Sequence, residues 1–207
     1  MSEIELSQLW RASFRRIPRQ AGVAAVEFAL VSLLFFTLLF FMIDLARAIY
    51  MWNTLLEVSR RAAIAAANTD VADEAGKNLA RQNALFRTSA GTLSWGAPVT
   101  DQNVRIDYFS LARSSDGTET LQAIPTALLP ACPTRNRINC SADPNGANCV
   151  RFVRARICST GSDAGTCDPL PYQSLTALYS FSFSLPASTT IVRAQTLGYQ
   201  PGMASCP

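Results

Sequence analysis

The chain has 207 residues with 18 Lys and Arg against 15 Asp and Glu, a formal charge of +3; 49% of its residues are hydrophobic and only 16% are charged. Charge that sparse is low for a wholly water-exposed domain and fits a chain with a membrane segment, and no basic face lies beyond the N-terminal tail, which argues against nucleic-acid binding. No histidine is present, which excludes Ser-His-Asp and Cys-His catalysis and removes the commonest zinc ligand, so neither a metal nor another cofactor is expected.

Residues 1–22 hold Arg11, Arg15, Arg16 and Arg19 against Glu3 and Glu5 and read as a basic leader. From Val23 to Ile43 follow 21 residues whose sole charge is Glu27, and fourteen of them are Leu, Ile, Phe or Val. As a helix this segment spans roughly 32 Å, close to the ~30 Å hydrocarbon core of a bilayer. Its aliphatic and aromatic residues favour insertion by roughly 4–8 kcal/mol, against a cost on the order of 3 kcal/mol for a carboxylate at mid-membrane. The segment is expected to span. Short basic flanks stay in the cytoplasm, so the leader faces the cytoplasm and residues 44–207 are exported. All six cysteines, Cys132, Cys140, Cys149, Cys158, Cys167 and Cys206, lie in that exported part, where an oxidising compartment favours disulfides. A cleaved secretory signal is the alternative, but its apolar core is normally about 7–15 residues long with small residues close behind. Here Asp44 and Arg47 follow directly, and the small cluster Ala63–Asn68 comes much later.

The stretch AGVAAVEFALV, within RQAGVAAVEFALV…LLFFMIDLARAIYMWNTLLEVSRRAAIAAA, resembles the processing site and helix of the TadE-like minor pilins (pseudopilins) of tight-adherence, Flp-type pilus systems. The resemblance covers about residues 15–67 and implies a mechanism. A prepilin peptidase would cut after Gly22, making Val23 the new N-terminus, Glu27 the fifth residue and Phe28 the aromatic beside it. It further implies that Glu27 pairs with the freed amine of a neighbouring subunit during assembly. The implied partners are inner-membrane lipid, other pilins and the assembly platform, with the chain in the bacterial inner membrane and its C-terminal domain in the periplasm. The 22-residue leader is longer than those of type IVa pilins. Physical chemistry agrees with such a partner, because a carboxylate in hydrocarbon is stable only when protonated or paired; a protonated Glu27 near the headgroups, or one snorkelling to the interface, is the alternative.

The helix is expected to run on without interruption from about Ala21 to Ala67, since the residues after Ile43 contain neither Pro nor Gly and favour helix. Leu45, Ile49, Trp52, Leu55, Leu56 and Ala63 recur near helical spacing and predict the face that packs on the exported domain. Asp44 and Arg47, three residues apart, are placed to pair with each other. Residues 71–89 predict a second helix, with Gly76 as its weak point. Alternating patterns predict strands over 104–109, 151–158, 179–185 and 189–199. The expected fold class is α+β and pilin-like: a long N-terminal transmembrane helix, a second helix, a small antiparallel sheet and disulfide-stapled loops.

The first five cysteines are spaced by seven, eight, eight and eight residues, and no C-x-x-C occurs. Zinc ribbons and thioredoxin-like redox chemistry are thereby disfavoured, and up to three disulfides with fifteen pairings remain open. Cys158–Cys167 is the expected loop staple and Cys206 the tie for the C-terminus. Asp143–Gly146 (DPNG) lacks the later acidic ligands of a calcium loop and reads as a turn. Arg151, Arg154 and Arg156 read either as a docking patch for an acidic partner or as the solvent side of a strand. Three functions stay open: an assembly pilin, a signal-anchored periplasmic binding module outside any filament, and a tethered hydrolase using Asp101, Asp107, Asp116 or Glu119. No spacing singles out a pair among those acids, so an enzyme is not expected.

Overall fold

A computed structural model describes residues 21–162, 165–176, 183–204 and 206. The chain divides between Ile43 and Asp44 into two compact units. The first helix, α1, covers Ala21–Ala67, 47 residues without a break. Its last carbonyls are taken up locally and from afar. The Asn68 amide and Thr69 hydroxyl donate to the carbonyls of Ile64 and Ala65, and the backbone N–H groups of Gln195 and Leu197 donate to Ala67. A helix end left with orphan carbonyls in the interior would be costly.

In the second unit α2 (Glu74–Ala84) and α3 (Pro133–Ala142) accompany four strands: β1 (Val104–Arg113), β2 (Glu119–Ala123), β3 (Phe152–Ile157) and β4 (Thr189–Arg193). The sheet order is β2-β1-β3-β4 and every pairing is antiparallel. The α+β class with a long apolar N-terminal helix, further helices, a small antiparallel sheet and disulfides is therefore as expected. Val153, Ala155 and Ile157 of β3, Val104 and Tyr108 of β1 and Val192 of β4 join the core with the part of α1 from Met51 to Ala67.

Two details of the helices differ from the expectations. The face of α1 buried in this unit is Met51, Leu55, Val58, Ala62, Ala63, Ala66 and Ala67, while Leu45, Ile49, Trp52 and Leu56 are about half exposed. Size decides between the two faces. Alanines at 62, 63, 66 and 67 and the small Ser59, whose hydroxyl lies 2.9 Å from that of Thr190, let the sheet approach the helix more closely than a Trp-bearing face would. α2 is shorter than 71–89 because Phe86 takes a left-handed φ of 59°. The N–H groups of Arg87 and Phe86 then reach back to the carbonyls of Gln82 and Asn83, the Schellman stop with a phenylalanine where glycine is usual. Gly76 survives inside α2 because a Cβ there would lie 2.6 Å from Asp73 Oδ2 and 2.8 Å from Thr69 Cγ2.

The second strand in sequence, β2, was not expected, and the expected strand over 179–185 falls mostly outside the described residues. Its described end bridges Ser184 to Pro171 and buries Leu185. β2 is exposed along its length and owes its place to the turn at Asp116–Gly117, where Gly117 has φ 86° and Asp116 Oδ1 accepts the Thr118 N–H at 3.0 Å.

Candidate functional site

The site begins with the first described turns of α1. Gly22 has open space around its Cα, Val23 and Phe28 are 61% and 74% exposed, and Glu27 is exposed beside them. Val23 and Glu27 are four residues apart, so they share one helix face. Among the described residues no ion-pair partner for Glu27 is present. The apolar residues that follow are also turned outward, from Val26 through Leu30, Leu34, Leu38 and Met42. A helix apolar all round with no protein packed on it matches hydrocarbon as its surroundings. Among the described residues this is the one helix long and apolar enough to cross a membrane.

Where the apolar run ends the chemistry changes. Asp44 and Arg47 are buried, with 1% and 7% of their surface exposed. No ion pair joins them, contrary to the pairing expected from their spacing; both instead hold the loop at residues 172–175, and Arg47 also holds the one at 95–97. The Asp44 carboxylate accepts the Tyr172 hydroxyl at 3.1 Å, the Leu175 N–H at 3.0 Å and the Ser174 hydroxyl. Arg47 donates to the carbonyls of Trp95 at 2.8 Å, Ala97 at 2.7 Å and Gln173, with its guanidinium 5.2 Å from the centre of the Tyr172 ring. Burial works to raise the Asp44 carboxyl, but the Leu175, Ser174 and Tyr172 donors and the Arg47 charge outweigh it and hold the group below the usual carboxylate value. Burial raises the Tyr172 phenol, which keeps it a donor. These partners lie 48–131 residues from Asp44 and Arg47 in sequence, beyond the reach of any local pattern.

The other singled-out residues have structural partners. Asp107 Oδ2 is gripped by Arg154 at 3.0 Å and Arg156 at 2.8 Å, with Arg154 also 4.4 Å from the Phe109 ring centre. Arg151 turns away to the Pro144 carbonyl. The three arginines thus form neither a common patch nor a bare solvent face. Asp101 and Asp107 line one open groove with Arg81 and Arg105, Asp101 accepting the Gly91 N–H at 2.9 Å. Asp116 sits in the β1–β2 turn, and Glu119 lies opposite Arg113 on exposed β2. Among the described residues no cluster of three His, Cys, Asp or Glu side chains could hold a metal ion.

The cysteines form three disulfides, Cys132–Cys206, Cys140–Cys149 and Cys158–Cys167. The first closes a span of 74 residues and the other two close spans of nine. Cys140–Cys149 ties α3 to the loop before β3. There the buried Asn136 accepts the Val150 N–H at 2.8 Å and donates to its carbonyl, standing in for a strand neighbour. Asp143–Gly146 forms a turn, with Gly146 N–H donating to the Asp143 carbonyl.

One apolar helix among the described residues, bearing one carboxylate in its first turns and running on into a disulfide-linked α+β unit, suggests the class: a helix-led protein with a single-pass membrane anchor. Comparison with known families gives the particular kind. The family model of TadE-like proteins matches residues 22–63, so this N-terminal block is similar to that of TadE-like proteins, as the sequence resemblance implied, and with the apolar helix it fits a protein associated with a Tad pilus. The match starts at Gly22 and takes in the whole apolar run. Neither the curated proteins nor the solved structures contain a match to the chain.

Proposed function

We propose that this chain is a minor pilin or pseudopilin of the TadE-like kind, acting in the assembly of Flp-type (type IVb) pili or a related secretion apparatus. In this reading it crosses the bacterial inner membrane once over Val23–Ile43, its leader 1–22 cytoplasmic and residues 44–207 periplasmic, and its role is structural rather than catalytic. A prepilin peptidase cuts after Gly22, and the membrane-embedded Glu27 then meets the freed amine of a neighbouring subunit, with Phe28 packing beside it. The observation that carries this reading is the coincidence of two things on one segment. The TadE-like match covers 22–63, and Glu27 is the sole ionisable group in 21 otherwise uncharged residues. A buried charge persists only where a partner compensates it, and an α-amine supplies that partner without a second charged side chain. Other pilins, the assembly platform and inner-membrane lipid are the partners.

The test is Glu27→Ala in the native cell. A charge-assisted bond is worth about 1.5–3 kcal/mol, so recovery of pilin components cross-linked to this chain should fall roughly tenfold to a hundredfold while its amount in the membrane stays unchanged. Undiminished cross-linking would remove Glu27 from assembly.

A further inference from the structure

We propose that the loops held by Asp44 and Arg47 form a lipid-facing collar, through which the second unit rests on the surface of the membrane that its own helix enters. The inference rests on the single-pass reading above. Asp44 and Arg47 are the first charged residues after the apolar run. At about 1.5 Å per residue they lie roughly 2 and 6 Å along the helix beyond Ile43, within the headgroup layer of about 5–8 Å on each side of the hydrocarbon. Whatever they hold directly is held at that depth.

What they hold is apolar on its outer side. Arg47 Nε donates to the Trp95 carbonyl at 2.8 Å, and the Trp95 side chain is 75% exposed. Asp44 accepts the Leu175 N–H at 3.0 Å, and the Leu175 side chain is 47% exposed. The helix residues beside the two pins, Leu45 and Ile49, are exposed as well. Tyr50, also exposed, donates through its hydroxyl to the Ser94 carbonyl at 3.2 Å. The two charges that would oppose contact with lipid are turned inward and satisfied by the loops themselves, so a segment that reads as charged in sequence presents an apolar surface. Tryptophan and tyrosine at the edge of the hydrocarbon are the side chains that favour this zone.

The backbone at Trp95 gives a second, independent indication. Its φ of 57° is an outlier for a bulky residue, a conformation kept only where its surroundings over-determine it. Arg47 on the Trp95 and Ala97 carbonyls and the Gly96 N–H on the Leu93 carbonyl supply that constraint. The result is a large ring held outward, where nothing among the described residues covers it. A bilayer interface reached by chain continuity is the occupant that accounts for both its position and its chemistry.

The test uses the full chain in phosphatidylcholine–phosphatidylglycerol vesicles, with Trp10→Phe and Trp52→Phe leaving Trp95 as the one tryptophan. Lipids brominated in the upper acyl chain should quench most of its emission, the maximum should be blue-shifted and aqueous acrylamide should have little effect. In the otherwise native chain, Trp95→Phe should remove the lipid-quenched component. Retention of the protein after an alkaline wash reads the anchor separately. A retained protein whose Trp95 is quenched by acrylamide and not by bromolipid overturns the collar alone. Quenching by neither means that a second copy covers the ring, and also overturns it. Loss of the protein on washing overturns the anchor and the collar together.

Discussion

Asp44 shows how far a residue's role can depart from its local spacing. Three positions before Arg47, it looks like half of an exposed i,i+3 pair, and such pairs are worth only a few tenths of a kcal/mol. Both side chains are instead buried, and each ties α1 to loops that lie far on in sequence. Because the donors around Asp44 bind the carboxylate, its folded-state value lies below the unfolded one. The stabilisation is then complete above about pH 4, the ordinary carboxyl value, and is lost as the pH falls through the lower folded value. Asp44→Asn should lower stability by about 1–3 kcal/mol at pH 7. The gap in melting temperature between variant and parent should close below about pH 4. A thermal-melting series from neutral to acid pH checks this, and a gap that stays constant or widens in acid would contradict it. Glu27 is the opposite case: it stands out in the sequence itself because every neighbour in the same segment is uncharged, and its proposed role starts from that.

At the scale of elements, the extent of α1 was readable from the absence of Pro and Gly after Ile43, and its one apolar run from composition. Its packing face was not. Both Leu45-Ile49-Trp52-Leu56 and Met51-Leu55-Val58-Ala62 repeat at helical spacing, and only the sheet's preference for small residues chooses the second. Leu55→Ala should therefore cost about 2–5 kcal/mol, whereas Ile49→Ala should change folding stability by no more than about 0.5 kcal/mol. Urea midpoints of the two variants in the same detergent compare them directly, and equal losses would put the helix's packed face elsewhere. β2 has no apolar alternation to read, since all five of its residues are exposed; its sequence signal was the Asp116–Gly117 turn. α3 was hidden in a stretch rich in turn residues, although Pro133 in its first turn is a usual mark of a helix start.

For the whole molecule, the recognisable part and the large part are different. The TadE-like match ends at residue 63, and nothing similar was found for the unit that carries the sheet and all three disulfides. Class and strand alternation were legible there, as in Val153, Ala155 and Ile157, because burial on one face writes itself into every second residue. The Cys158–Cys167 staple and the tie at Cys206 were expected and are present, but the partner of Cys206 and the loops that Asp44 and Arg47 hold were not legible, because those contacts link positions up to 131 residues apart and leave no periodic trace. The proposed function therefore rests on the N-terminal block, and the step on which it turns is the proposed cleavage after Gly22. The most direct measurement is the intact mass and N-terminal peptide sequence of the protein taken from its native membranes. A chain that starts at Val23, with or without N-methylation, is the predicted result and makes Glu27 the fifth residue of a processed pilin. A chain that still carries its leader would contradict the account and leave an anchored periplasmic accessory module in its place.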